Sequence, residues 1–198
     1  SQSATQRRLL DGLCQALHLD SPPDRIEVFD NSHIQGAKAV GAMIVAGPEG
    51  LMKTAYRKFT LGRAGTQGTT GDGAGNPAPG DDYAMMREVL TRRYGRILKE
   101  DPDRSRGQWP DLVLIDGGAG HLGVAREVFA ELGIGDVAIA AIAKGPQRNA
   151  GRERIFLPNR RPLTLDPRDP VLYFLQRLRD EAHRFAIGAH RAKRTKAL

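Results

Sequence analysis

The sequence predicts an α/β domain whose mixed sheet, three antiparallel strands continued by parallel ones, is flanked by helices. Three observations carry that expectation. Residues 25–59 alternate apolar and polar positions and are broken by turn sequences, which is the pattern of an antiparallel meander. The stretch from Leu112 to Ala143 reads strand, Gly-Gly turn, helix, strand, which is a βαβ unit and so a parallel pair. A chain of 198 residues with 40% hydrophobic content can also fill one full-sized core.

Along the chain, Leu9, Leu10, Leu13, Ala16 and Leu17 recur at helical spacing and define a lead-in helix over residues 1–24, which Pro22-Pro23 closes. A second unit, 25–198, follows. Ile26, Val28 and Asp30 alternate with Glu27 and Phe29 as a strand; residues 40–46 form the second strand and 52–59 the third, across the turn Gly47-Pro48-Glu49-Gly50. Residues 62–80 hold seven Gly and two Pro in 19 positions, too little apolar surface to offset the entropy of ordering them, and predict a mobile loop within the domain. Asp81 and Asp82 then open a helix to about Tyr94 with Tyr83, Met86, Val89 and Leu90 as its buried stripe. Residues 112–116 are the clearest strand, 122–132 a helix and 137–143 a buried strand. Residues 154–157 and 162–165 suit a small hairpin, and Asp169-Pro170 starts a long final helix. The order βββ-α-β-α-β-hairpin-α is the ribonuclease H-like arrangement.

Composition excludes several classes. The longest apolar run, 137–143, has seven residues where a bilayer helix needs roughly 20, and the start has no signal-peptide pattern. Cys14 is the lone cysteine, which rules out an intrachain disulfide or a Cys-based zinc cluster and fits a reducing cytoplasm. Of the net charge of +7, residues 176–198 carry +5, from seven bases against two acids, so the basic C-terminal helix and tail (168–198) are expected to meet a polyanion.

The chemistry centres on strand ends. Asp30 shares a face with Ile26 and Val28, Asp116 shares one with Leu112 and Leu114, and each ends its strand, where open α/β sheets bind ligands. Taken singly, either aspartate is commonly a turn former or helix cap. On parallel neighbouring strands the two carboxylates would repel unless a cation such as Mg²⁺ or Mn²⁺ lay between them. In the final helix Val171, Phe174, Leu175, Leu178, Ala182, Phe185 and Ala186 form the apolar stripe. At about 100° per residue His183 falls on its flank and Asp180 on the far side, toward solvent and Arg184. His183 also has the ordinary reading of a packed boundary histidine.

One competing motif is present. Gly118-Ala119-Gly120-His121-Leu122-Gly123 spells GxGxxG between a strand and a helix. The acidic residue a dinucleotide site requires would be Asp136, which stands at the start of the next strand and not at its end, and Asp116 would repel a pyrophosphate. No GxxxxGK[ST] phosphate loop occurs.

Six blocks, VFDNSHIQG (28–36), GDDYAMMREVLTRRY (80–94), PDLVLIDGG (110–118), AIAK (141–144), IFLP (155–158) and the run from 166 to 194, resemble the C-terminal endonuclease half of the UvrC family, the incision subunit of bacterial UvrABC nucleotide excision repair. They occur in the family's order over residues 25–196. The family's GIY-YIG nuclease domain, UvrB-binding segment and tandem helix-hairpin-helix module have no counterpart among these residues. The resemblance implies a ribonuclease H-like fold whose Asp-Asp-His triad binds Mg²⁺ or Mn²⁺ and cuts the damaged strand on the 5′ side of a lesion.

Residue by residue, the implied triad is Asp30, Asp116 and His183, with Asp82 of the Asp-Asp-Tyr-Ala block as a supporting carboxylate or a plain helix cap. Lys144, Arg179, Arg184, His190, Arg191, Lys193 and Arg194 are the expected phosphate contacts. Duplex DNA and UvrB, with UvrA upstream, are the implied partners. Where the family usually reads IDGGKGQ this chain has IDGGAGH, so Ala119 replaces a basic residue. Two other readings share these features: a DNA-binding module with an inactive site, and a ribonuclease H-like ATP-binding phosphotransferase with Gly117-Gly118 at the phosphates.

Overall fold

The computed structural model describes residues 2–32, 39–61, 79–145 and 152–196, with side chains described over 3–31, 39–61, 82–145 and 152–188. The Gly-rich stretch expected to form a mobile loop lies outside the described residues except for its last two. In chain order the elements are α1 (Gln2–Ala16), β1 (Ile26–Ser32), β2 (Ala39–Gly47), β3 (Gly50–Leu51), β4 (Arg57–Leu61), α2 (Pro79–Glu100), β5 (Leu112–Asp116), α3 (Ala119–Glu131), β6 (Ala138–Ala143), β7 (Arg154–Phe156) and α4 (Pro170–Lys196). The sheet runs β3-β2-β1-β5-β6-β7, and β4 also pairs with β2. The β1·β5 and β5·β6 pairs are parallel and the rest antiparallel.

The third strand of the meander is interrupted. Leu51 pairs with Ala46 and Arg57 with Met43, so the chain advances six residues while β2 advances three; the surplus is the 3₁₀ turn Lys53–Ala55. The expected hairpin after β6 is reduced to β7 and a bridge between Ile155 and Leu163. Helix α2 runs six residues past Tyr94. Gly95 reads as a stop, yet Ile97 is fully buried on the next turn and Arg96 pairs with Glu100 at i,i+4.

Helices cover both faces of the sheet, and the strand alternation sorts side chains between two cores. Phe29, Val113 and Ile115 pack with Met86, Val89, Leu90 and Tyr94 of α2 and Phe129 of α3. Ile26, Val28, Leu112 and Leu114 pack with Leu13 of α1 and Leu175 and Leu178 of α4. Helices α1 and α4 approach closely at Gly12, where a Cβ would lie 2.8 Å from Val171 Cγ2. Tyr83, expected in the buried stripe of α2, is 39% exposed; Met85 takes the buried position.

With both faces covered, a polar residue in β1 has no route to water. Glu27 is wholly buried in the α2-side core and accepts hydrogen bonds from Arg25 Nε (2.9 Å), Arg93 Nη2 (2.8 Å) and Tyr94 Oη (2.7 Å). Its charge and burial together hold the Tyr94 phenol well above its ordinary pKa, burial being the larger cause. Removing one partner of such a buried pair leaves an uncompensated charge in the core. Glu27→Ala, which strands two guanidiniums, is therefore expected to cost about 3–5 kcal/mol in urea denaturation; a loss under about 1 kcal/mol would show that water reaches those groups.

Candidate active site at the ends of the parallel strands

The register of β1 on β5 ends with Phe29 opposite Ile115, so Asp30 and Asp116 are the next residues on their strands, on the α4 side with Val28 and Leu114. Neighbouring strands lie about 4.8 Å apart, and the two carboxyl groups are within hydrogen-bonding reach of each other. Ala182 and Leu178 bury the inner face of α4 against the sheet, which turns the flanking His183 and Arg179 onto the aspartates. His183 Nδ1 lies 3.3 Å from Asp30 Oδ2, and Arg179 holds Asp116 Oδ1 through Nη2 (3.0 Å) and Nε (3.1 Å). The structure thus brings together Asp30, Asp116 and His183.

Exposure falls off sharply across the site: the His183 side chain is 61% exposed, that of Asp116 28% and that of Asp30 6%. Burial, then the charge of Asp116 and its hydrogen bond, push the Asp30 carboxyl up to about 8; Arg179 and the Asn31 backbone N–H pull the other way but do not prevail. A carboxyl pair that resists ionising is a site where added positive charge is strongly favoured. Among the described residues no three His, Cys, Asp or Glu side chains form a ready-made metal cage, and Arg179 provides the countercharge. Two carboxylates and an imidazole nitrogen are a donor set that fits a divalent cation.

The other expected residues divide. Arg179 was expected to meet phosphate; its side chain is instead turned inward onto Asp116 and is 11% exposed. The angular position on α4 permits either, and the pairing with Asp116 decides it. Arg184 pairs with Glu181 and not with Asp180, and Glu181, held low mainly by that bond, also accepts from Tyr56 Oη at 2.8 Å. Asp180 is exposed, as its phase requires, and Lys144 is exposed just beyond β6. The side chains of His190, Arg191, Lys193 and Arg194 lie outside the described residues.

Beside the turn after β5 stand two residues, His121 of α3 and Tyr83 of α2, that the sequence reading did not assign to the site. Gly118 is the N-cap of α3, and the His121 ring packs over Gly117, where a Cβ would collide with it. Tyr83 stacks edge-on against His121, with ring centroids 4.8 Å apart. Burial lowers the His121 pKa, against the opposing charges of Asp82 and Asp116, which places Asp82 in the same neighbourhood. Asp136, needed by a dinucleotide site, stands before the start of β6 and pairs with Arg104.

This chain belongs to the UvrC RNAse H endonuclease domain family, whose profile matches residues 14–187. It is 62% identical over all 198 residues to the UvrABC system protein C of Paramagnetospirillum magneticum and 59% identical over 198 residues to that of Rhodospirillum rubrum. It spans about 30% of the length of these relatives. Among solved structures it is similar to Ciona intestinalis endonuclease V bound to an inosine-containing 23mer DNA (TM-score 0.43, 14% identity, 72% of this chain, 55% of that one) and to human ENDOV (TM-score 0.40, 15% identity, 71% and 58%).

The raised Asp30 pKa has a stability consequence. The folded chain keeps a proton that the unfolded chain loses, so stability falls as pH rises from about 4 to about 8. In chelator, Asp30→Asn is expected to unfold at a higher temperature than the parent at pH 8, by the equivalent of roughly 1–3 kcal/mol, and with the parent near pH 4. Equal differences at both pH values would contradict the assignment.

Proposed function

We propose that this domain makes the 5′ incision of nucleotide excision repair, hydrolysing one phosphodiester of the damaged strand with the help of a divalent metal. The observation that carries the reading is the pairing of buried Asp30 with half-buried Asp116 at the ends of parallel strands, with His183 beside it. A Mg²⁺ or Mn²⁺ ion bound by Asp30, Asp116 and His183 would supply activation of water and stabilisation of charge on the phosphate.

The chain's own residues do the rest. Asp30 fixes the His183 ring through Nδ1, which leaves Nε2 on the far side of the ring either to bind that ion or to hold or move a proton at the leaving oxygen. Arg179 holds Asp116 in place. Helices on both faces exclude water from behind the carboxylates, so their field acts toward the open edge. Asp82, next to His121 at the head of α2, serves as a supporting carboxylate on the same edge. Lys144 and Arg184, with His190, Arg191, Lys193 and Arg194 of the tail, are phosphate contacts in this reading, and UvrB, after UvrA, is the partner that delivers the DNA. The role is that of a cytoplasmic protein; among the described residues no helix is long and apolar enough to cross a membrane.

The test is incision of a lesion-bearing duplex in a reconstituted UvrABC reaction. Asp30→Asn and Asp116→Asn should each abolish the 5′ cut while the chain still folds, and His183→Ala should slow it by about 10²–10⁴-fold. Asp180→Ala, on the exposed face of α4, should change it less than about twofold. Full activity in His183→Ala, or loss in Asp180→Ala alone, would put the chemistry on the wrong side of α4.

A further inference from the structure

A second positively charged feature lies on the opposite edge of α2 from the turn at Gly118. Between β4, the 3₁₀ turn before it and the C-terminal half of α2 runs an open groove of about 860 Å³. Seven of its fourteen lining residues are Arg or Lys and one, Glu100, is acidic. Counting Glu27 and Glu88 as well, which pair with lining arginines, still leaves an excess of four positive charges.

The groove's guanidiniums are held in two ways: Arg25 and Arg93 pair with Glu27 and Arg96 with Glu100, while Arg57 and Arg92 are anchored on backbone carbonyls, Arg92 also lying 3.8 Å from Glu88. Arg57 donates to the carbonyl oxygens of Thr54 and Tyr56, and Arg92 donates to that of Thr60 while lying over the Phe59 ring at 5.6 Å. Carbonyl anchoring orients a guanidinium without neutralising it. Arg57, Arg96 and Lys99 are exposed.

Register ties the groove to the aspartates. Asp30 pairs with Ala42, and Ala42 with Lys58, so Lys58 sits in the same cross-strand row, two strands away at about 10 Å, on the α4 side where its ammonium lies 4.5 Å from the Phe185 ring. That is the axial rise of about three nucleotides of one DNA strand. From there residues 91–100 of α2 carry the groove about 14 Å farther, roughly four more nucleotides.

We infer that this groove is a binding track for the phosphate backbone of DNA flanking the cut, recognised by charge and independent of base sequence. The choice of DNA as ligand rests on the nuclease reading above. A protein partner would want an apolar centre, and the lining offers Ala55 and a Phe59 ring that Arg92 already covers; polar, cation-rich surfaces fit nucleic acid better.

The test is binding of an undamaged fluorescent duplex of about 20 base pairs, by anisotropy across a salt series with chelator present, so that binding is read apart from cutting. Replacing Arg57, Arg96 and Lys99 together by alanine should weaken binding at least tenfold at low salt and flatten the slope of log K on log salt by about 2–3. The charge-keeping set Arg57→Lys, Arg96→Lys and Lys99→Arg should retain the parent slope. Arg25 and Arg93 are left intact because they hold Glu27, and an unchanged melting temperature certifies the fold. An unchanged slope in the alanine variant, or equal loss in both sets, would overturn the inference. So would loss of binding to poly-glutamate with DNA binding intact, which would make the groove a site for an acidic protein segment. Failure here would leave the Asp30 incision result untouched, and loss of that result would leave the salt slope to be read independently.

Discussion

Parallel pairing of β1 with β5 is the constraint on which the rest of the molecule depends. It brings two residues distant in sequence, Asp30 and Asp116, to the same end of adjacent strands, and it does so in a register fixed by Ile26, Val28, Leu112 and Leu114 on one side and Phe29, Val113 and Ile115 on the other. A slip of one residue would exchange the two cores and turn both carboxyls to the opposite face. Apolar packing on both faces therefore holds in place a charge arrangement that is itself unfavourable. The raised Asp30 pKa measures that conflict, and Arg179 relieves part of it.

Helix α4 joins stability to chemistry. Its inner stripe seals the α4-side core, and the residues at the margin of that stripe, Arg179 and His183, meet the aspartates because the stripe fixes the helix rotation. Asp180, Glu181 and Arg184 lie outside that contact; Glu181 is taken up by Tyr56 and Arg184. Conservative changes in the apolar stripe would thus reach the site through the rotation of one helix.

Much of this was legible in the sequence. Period-2 alternation gave the strands, helical phase separated His183 from Asp180, and the order of elements gave the ribonuclease H-like sheet. The remainder was hidden by tertiary context. Glu27 looks like a solvent-facing residue in an alternating strand, and is buried because α2 covers that face; the clue available was Arg93-Tyr94 on a facing helix. Gly95 resembles a helix end, but Ile97 and the Arg96–Glu100 pair carry α2 onward. The 3₁₀ turn inside the third strand leaves no periodic signature. Arg179 at the flank of the stripe suits solvent phosphate and buried carboxylate equally well, and a sequence has no measure of which is nearer. The basic groove escaped notice because its cations come from β4 and two successive turns of α2, dispersed in sequence and adjacent in space.

A divalent cation received by the Asp30 and Asp116 pair would enter at the cost of a proton. Calorimetric titration of the 198-residue chain with Mn²⁺ at pH 7, repeated in buffers of different ionisation enthalpy, measures both parts at once. Saturable binding accompanied by net proton release is expected, because an Asp30 carboxyl with a pKa of about 8 is largely protonated at that pH. Binding without proton release, or no saturable binding, would contradict it.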